Sequence, residues 1–329
     1  MNADRADDAP PCRVLVLGGT GTIGRAVVRA LVARGHEVVC LVRPGVGRAD
    51  APPGVQFRPC DVTDPASLAR EGFAGESFDV LLSCLASRTG TPEDAWRIDH
   101  DAHAAALDQA RAAGVAHMIA LSAICVQKPK LEFQRAKLAF ERKLIESGIA
   151  YTIVRPTAFF KSLSGQVERV RQGKAFMVFG DGMLTACKPI GDNDLAEFLA
   201  DCIDDPDRRG RILPIGGPGE AITPLMQAEQ LFAMLGQEPR IQHVPVALLD
   251  AIIATLATLS RIVPSLRAKA ELARIGRYYA TESMLVWDPV AERYDAAATP
   301  ATGTQTLFDY YERLLSGEEQ AERGDHAVF

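Results

Sequence analysis

The chain has 329 residues, enough for one large domain with an added lobe or for two domains. A hydrophobic fraction of 47% supports a sizeable core, and a net charge of −6 without a basic stripe argues against a nucleic-acid partner. Seven cysteines at positions 12, 40, 60, 84, 125, 187 and 202 make no close pair, which excludes a disulfide frame or a zinc site and fits reduced thiols in the cytoplasm.

Residues 1–11 are acidic and polar, without the basic and apolar regions of a signal peptide, and are expected to be a disordered tail. The first strand, Arg13–Leu17, ends abruptly in Gly18-Gly19-Thr20-Gly21-Thr22-Ile23-Gly24, and a helical stretch over 25–34 follows at once. The order strand, tight turn, helix is that of a dinucleotide site. Glycines let the backbone turn with positive φ and let a diphosphate approach without meeting a Cβ. The helix then offers unpaired N–H groups and its positive dipole end. Gly18, Thr20, Gly21, Thr22, Ile23 and Gly24 are therefore candidate cofactor contacts.

Further strands are expected at Glu37–Val42, 55–59, 78–85, 117–122 and 150–155, with helices near 66–70, 95–113 and 131–147. Strands alternating with helical patterns imply right-handed crossovers and a doubly wound, Rossmann-like parallel sheet over residues 12–157. The run Val80-Leu81-Leu82 suits a strand buried on both faces. The second strand leads into Arg43, where NAD-selective sites place a carboxylate. A guanidinium instead pairs with a 2′-phosphate through two hydrogen bonds, so NADPH is the expected cofactor. Asp61 and Val62, just after the third strand, are candidates for the adenine edge, although Asp61 and Asp64 also read as turn or cap residues.

After residue 157 the pattern loosens. A loop-rich segment runs to about 190, followed by a helix at Asp192–Asp204, a strand at Arg211–Ile215, a helix capped by Thr223 and a strand at Ile241–Val244. A long apolar helical region covers 246–263, a last helix covers 305–315, and 316–329 is a polar tail. Residues 158–315 are expected to form a smaller substrate lobe over the carboxyl ends of the strands, with elements free to return to the sheet. Most of 246–263 reads as the core of that lobe, and some of it, with Phe159, Phe160 and Trp287, as the wall of an apolar pocket. The region is too broken by Pro245, Asp250 and Arg261 for a membrane span. For the chain as a whole no transmembrane span is expected, and peripheral membrane contact stays open.

Cys84-Leu85-Ala86 after the fourth strand, Ser122 after the fifth and Lys137 on the next helix follow the glycine turn in a telling order. The chain resembles an atypical or extended short-chain dehydrogenase/reductase. In that superfamily a Tyr-x-x-x-Lys pair shares one helical face. The resemblance implies that Lys137 is catalytic and holds the nicotinamide ribose. The tyrosine position is Phe133, which has no proton to give. His100 and His103, beside Asp99, read as a solvated polar face and not as a metal site.

Four segments narrow the resemblance: 121–129 (LSAICVQKP), 155–163 (RPTAFFKSL), 280–286 (ATESMLV) and Ala298-Thr299-Pro300. They resemble the NADPH-dependent divinyl chlorophyllide a 8-vinyl reductases, over about residues 12–315. The resemblance implies reduction of a C8 vinyl group to ethyl on a magnesium tetrapyrrole, in chlorophyll or bacteriochlorophyll synthesis. It further implies cofactor contacts from Cys84, Leu85, Ala86, Ser122, Lys137, Pro156 and Thr157, and no metal. A vinyl group conjugated with a tetrapyrrole is its own electron sink, so the protein must chiefly align the nicotinamide and supply a proton. Phe133 can pack on the flat macrocycle. Phe159, Phe160, Lys161 and Tyr278 are further substrate candidates, and Lys128 and Lys130 are candidates for its carboxylate. Lys137, a water, Tyr278 or Tyr279 can give the proton. Two other readings stay open: an isoflavone- or phenylcoumaran-type reductase, and a non-catalytic, NmrA-like NADP(H) sensor that binds a protein partner.

Overall fold

A computed structural model describes residues 10–45 and 52–319. Residues 1–9 of the expected N-terminal tail and 320–329 of the polar tail lie outside the described residues. The strands are β1 (Arg13–Leu17), β2 (Glu37–Val42), β3 (Gln56–Pro59), β4 (Val80–Ser83), β5 (His117–Leu121), β6 (Ala150–Pro156), β7 (Phe176–Phe179), β8 (Arg211–Ile215), β9 (Ile241–Val244), β10 (Val286–Asp288) and β11 (Arg293–Asp295). Seven of them form one parallel sheet in the order β3-β2-β1-β4-β5-β6-β8. The order reverses between β1 and β4, and a crevice opens there at the carboxyl ends of the strands.

The period of two along β1 explains why both sheet faces are covered. Val14 and Val16 point to one side, into a core with helices Thr22–Ala33 and Asp192–Asp204. Leu15 and Leu17 point to the other, with Phe73, Leu107 and Phe140. The second half returns two elements to the sheet. β8 pairs with β6, and helix Asp192–Asp204 packs along helix Thr22–Ala33.

A third core joins the rest of the second half, with Phe232, Tyr311 and Val170 fully buried in it, to Ile124, Cys125 and Leu131 of the first half. The segment read as loop up to 190 contains helices Phe160–Leu163 and Val167–Arg171 and strand β7, which pairs in parallel with β9. Helix Leu266–Thr281 was not expected from the pattern. The expectation that 246–263 is lobe core is corrected. Helix Val246–Leu259 has no buried residue, because it packs on helix Leu266–Thr281 along one stripe and leaves the neighbouring stripe exposed.

The long helix expected over 95–113 runs without interruption from Pro92 to Ala112 and contains a π-helical stretch, Trp96–Ala102, between the α-helical Pro92–Ala95 and His103–Ala112. A π turn is wider than an α turn and recurs at functional sites. Here it carries Asp99.

Candidate active site

The turn after β1 separates packing glycines from an open one. Gly18 has φ +75°, and a Cβ there would come within 2.8 Å of the Cys84 carbonyl group. A Cβ at Gly24 would overlap the Gly18 carbonyl oxygen. Gly21 is different: its φ is −73°, and a Cβ there would meet only Gly18 O, at 3.4 Å. Packing therefore leaves that position free. Helix Thr22–Ala33 begins there with no side-chain cap and no acidic residue in its first turn. An uncapped helix start of this kind suits an anion, and the residues present fit a dinucleotide.

Arg43 is exposed at the end of β2 and makes no ion pair among the described residues. Asp61 forms a local turn, with Oδ1 accepting from Thr63 N at 2.9 Å and Thr63 Oγ1 at 2.7 Å. Those bonds hold its carboxyl below the usual range. Asp64 is the cap, accepting from Ala66 N. Val62 packs partly against the core beside β3.

A cavity of about 570 Å³ opens where β4, β5 and β6 end. Cys84, Leu85, Ala86, Ser122, Lys137, Pro156 and Thr157 all line it. Lys137 lies on helix Glu132–Ile145, and its Nζ is 3.0 Å from Asp99 Oδ1. Asp99 has a side chain only 1% exposed, also accepts from Ser87 N at 3.2 Å, and leaves Oδ2 without a partner. Ser122 Oγ is likewise buried and unpartnered. Two unsatisfied polar groups on one cavity wall are the feature expected of a site that receives hydrogen bonds from a ligand. Asp99 is the residue that sequence reasoning missed. The polar trio Asp99, His100 and His103 was the signal, and it was read as a solvated face.

That reading is corrected. His103 is buried, with Nε2 2.9 Å from Ser83 Oγ and Nδ1 2.8 Å from the Ile98 carbonyl oxygen. Burial, reinforced by the charge of Lys137, pushes its pKa down to about 4, so it is neutral. Only His100 reaches the surface, beside Asp101. Among the described residues no group of three or more His, Cys, Asp or Glu side chains is gathered as a metal site.

The substrate candidates divide. Phe133 and Phe159 line the cavity. Phe160 does not: it is buried against Tyr310, with ring centroids 5.6 Å apart. Tyr278 is also turned away, its hydroxyl donating to the carbonyl oxygens of Cys125 at 2.9 Å and Lys128 at 3.2 Å. Tyr279, the next residue, lines the cavity in its place. One helical step of about 100° separates the two side chains. Lys161 reaches the opposite end of the site, donating to Thr22 Oγ1 at 3.0 Å beside the glycine turn. Lys128 and Lys130 are both paired with Glu282, which Tyr294 also contacts. Burial opposes ionisation of Glu282, but these bonds outweigh it and hold its pKa at about 2. Trp287 is outside the cavity, with the Lys128 ammonium 4.0 Å from its ring centroid.

A family profile described as NAD(P)H-binding matches residues 18–206. The chain is 48% identical to "Divinyl chlorophyllide a 8-vinyl-reductase, chloroplastic" of Oryza sativa subsp. indica, over 96% of this chain and 82% of that protein. It is 47% identical to the protein of the same name from Cucumis sativus, over 99% of this chain and 81% of the other. Among solved structures, an NADPH-dependent quinone oxidoreductase of Escherichia coli complexed with NADPH superposes with a TM-score of 0.67. It is 20% identical, over 92% of this chain and 99% of that one, and shows a shared fold. The nucleotide half of this chain is thus a nicotinamide-dinucleotide domain, and the chain as a whole belongs to the divinyl chlorophyllide a 8-vinyl-reductase family.

Proposed function

We propose that this chain uses NADPH to reduce the C8 vinyl group of divinyl chlorophyllide to ethyl. The observation that carries the reading is the cavity itself. One wall holds Lys137 and the strand ends beside the glycine turn, and the rest is an apolar chamber with Phe133, Phe159, Leu248, Leu272 and Ile275. Apolar walls with a few convergent polar groups are what a large, flat ligand requires. The names of the plant relatives supply the substrate.

Bound NADPH supplies the hydride, from C4 of its nicotinamide. The chain's own work is placement. Gly21 and the uncapped helix admit the diphosphate, Lys161 stands beside them, and Arg43 pairs with the 2′-phosphate. Lys137, fixed by Asp99, hydrogen-bonds the nicotinamide ribose. Ser122, Pro156 and Thr157 would hold the nicotinamide end of the cofactor, and Asp61 and Val62 its adenine end. Phe133 and Phe159 stack on the macrocycle, and Tyr279 replaces Tyr278 as the tyrosine placed to give a proton. Residues 158–315, apart from β8 and helix Asp192–Asp204, form the substrate lobe. A cation on the cavity wall at position 137 supports an enzyme over a non-catalytic sensor.

All seven cysteines are free thiols, which supports a reducing compartment. That condition is met in a cytoplasm and also in the chloroplast that the relatives' names record. The purified protein is expected to convert divinyl to monovinyl chlorophyllide with NADPH, followed by chromatography. Turnover of an isoflavone with no turnover of the pigment would overturn the reading.

A further inference from the structure

Helix Val246–Leu259 is apolar almost throughout, with Asp250 its only charged residue. A helix apolar on all sides belongs in a protein core or in lipid. This one is in neither, since it has no buried residue. Its fourteen residues would reach only about 21 Å, too short to cross a bilayer. Among the described residues no helix is long and apolar enough to do so.

Its two faces differ in use. Leu249, Ile253 and Leu256 are half-buried, at the spacing that faces helix Leu266–Thr281. Leu248, Ile252 and Leu259 form a neighbouring stripe, about a quarter-turn round the helix, and are 51%, 39% and 45% exposed. The stripe continues into the connecting turn, where Ile262 is 82% and Val263 44% exposed. Around that tip stand Arg261, Arg267 and Lys269, which make no ion pair among the described residues. The anions of this hairpin are already paired: Asp250 with Arg277, and Glu271 with Arg274.

We propose that this helical hairpin is a docking surface for a membrane bearing anionic lipids. An apolar stripe ending in an apolar tip ringed by cations matches an interface of acyl chains beneath negative headgroups. A second copy of this hairpin fits less well, because its own anions, Asp250 and Glu271, are already paired and offer nothing to the cations at the tip. The stripe also meets the cavity: Leu248 and Leu249 from one helix, and Leu272 and Tyr279 from the other, line its wall. A docked hairpin would therefore set the cavity against the lipid phase. That an apolar pigment passes from membrane to cavity rests on the function proposed above; the docking itself does not.

The test is flotation of the full chain with two kinds of vesicle, pure phosphatidylcholine and phosphatidylcholine mixed with phosphatidylglycerol. No pigment is added, so the result is independent of the reductase reading. The expected result is binding to the mixed vesicles, weakened by salt. The double variant Ile262→Asp/Val263→Asp should lower it at least about tenfold. The charge variant Arg261→Glu/Lys269→Glu should do the same while leaving binding of NADPH unchanged. Neither pair of residues lines the cavity, so turnover of detergent-dispersed pigment should stay at the wild-type level. Absence of the protein from both vesicle fractions would overturn the proposal. So would equal vesicle binding by wild type and both variants, or a dimer in solution that Ile262→Asp dissolves.

Discussion

Lys137 Nζ and Asp99 Oδ1 stand 3.0 Å apart on the cavity wall, one on the helix after β5 and the other on the π-helical stretch after β4. The aspartate is the more deeply buried partner, so removing either side chain alone has two effects. Lys137→Ala should lower turnover by about a hundredfold or more. It also strands a buried carboxylate, at a cost of about 3 kcal/mol. Asp99→Asn/Lys137→Ala should recover most of that stability and none of the activity, since the charge and its partner leave together. Thermal unfolding beside pigment turnover separates the two effects. Activity returning with stability would assign the pair to folding alone.

The glycines of the first turn should respond in opposite ways. Gly24→Ala forces a Cβ onto the Gly18 carbonyl oxygen and should cost about 3 kcal/mol of stability. Gly21→Ala has room, so its unfolding temperature should hold. Its affinity for NADPH should still fall about tenfold, or about 1.4 kcal/mol, because the new methyl faces the diphosphate. Calorimetric titration with NADPH checks the second expectation.

Arg43 should set the choice between the two nicotinamide cofactors. Arg43→Ala removes charge-assisted hydrogen bonds to a 2′-phosphate and touches no other described ion pair. It should cut the NADPH-to-NADH ratio of kcat/KM by about tenfold or more. An unchanged ratio would place phosphate recognition elsewhere.

His103 predicts the direction of a pH effect. Its ordinary pKa is 6.5, and burial depresses it to about 4 in the fold. Between those values the unfolded chain holds a proton that the folded chain does not, so stability falls as pH is lowered through the window. His117 is buried and depressed to about 4 in the same way and adds to the slope. Denaturant titrations at several pH values should show the decline, and His103→Gln should flatten it in part.

Much of the nucleotide half was legible because its signals are local. Arg13–Leu17 carries its strand pattern and its glycine turn within a dozen residues, and Asp192–Asp204 carries its own periodicity. β7 was not legible, because it pairs with β9 across some sixty intervening residues and is short and flanked by Gly173 and Gly180. Asp99 and His103 share one helical face with the buried Ala95, Ala102, Ala106 and Ala110, and their polarity hid that burial from a reading by residue type. Phe160 and Tyr278 are turned away from the cavity, because the neighbour one position along the chain, Phe159 or Tyr279, takes the face that lines it. The apolar run after residue 245 gave its helix correctly, but composition alone does not say whether an apolar helix has a core to enter.

The most direct measurement is the fate of the hydride. NADPH deuterated at both C4 positions is incubated with the purified protein and divinyl chlorophyllide a, and the product is analysed by mass spectrometry and NMR. The expected product carries one deuterium, in the new 8-ethyl group, for each NADPH oxidised. Reduced pigment without deuterium, or pigment left unreduced beside unspent NADPH, would contradict direct transfer from the cofactor to the vinyl group.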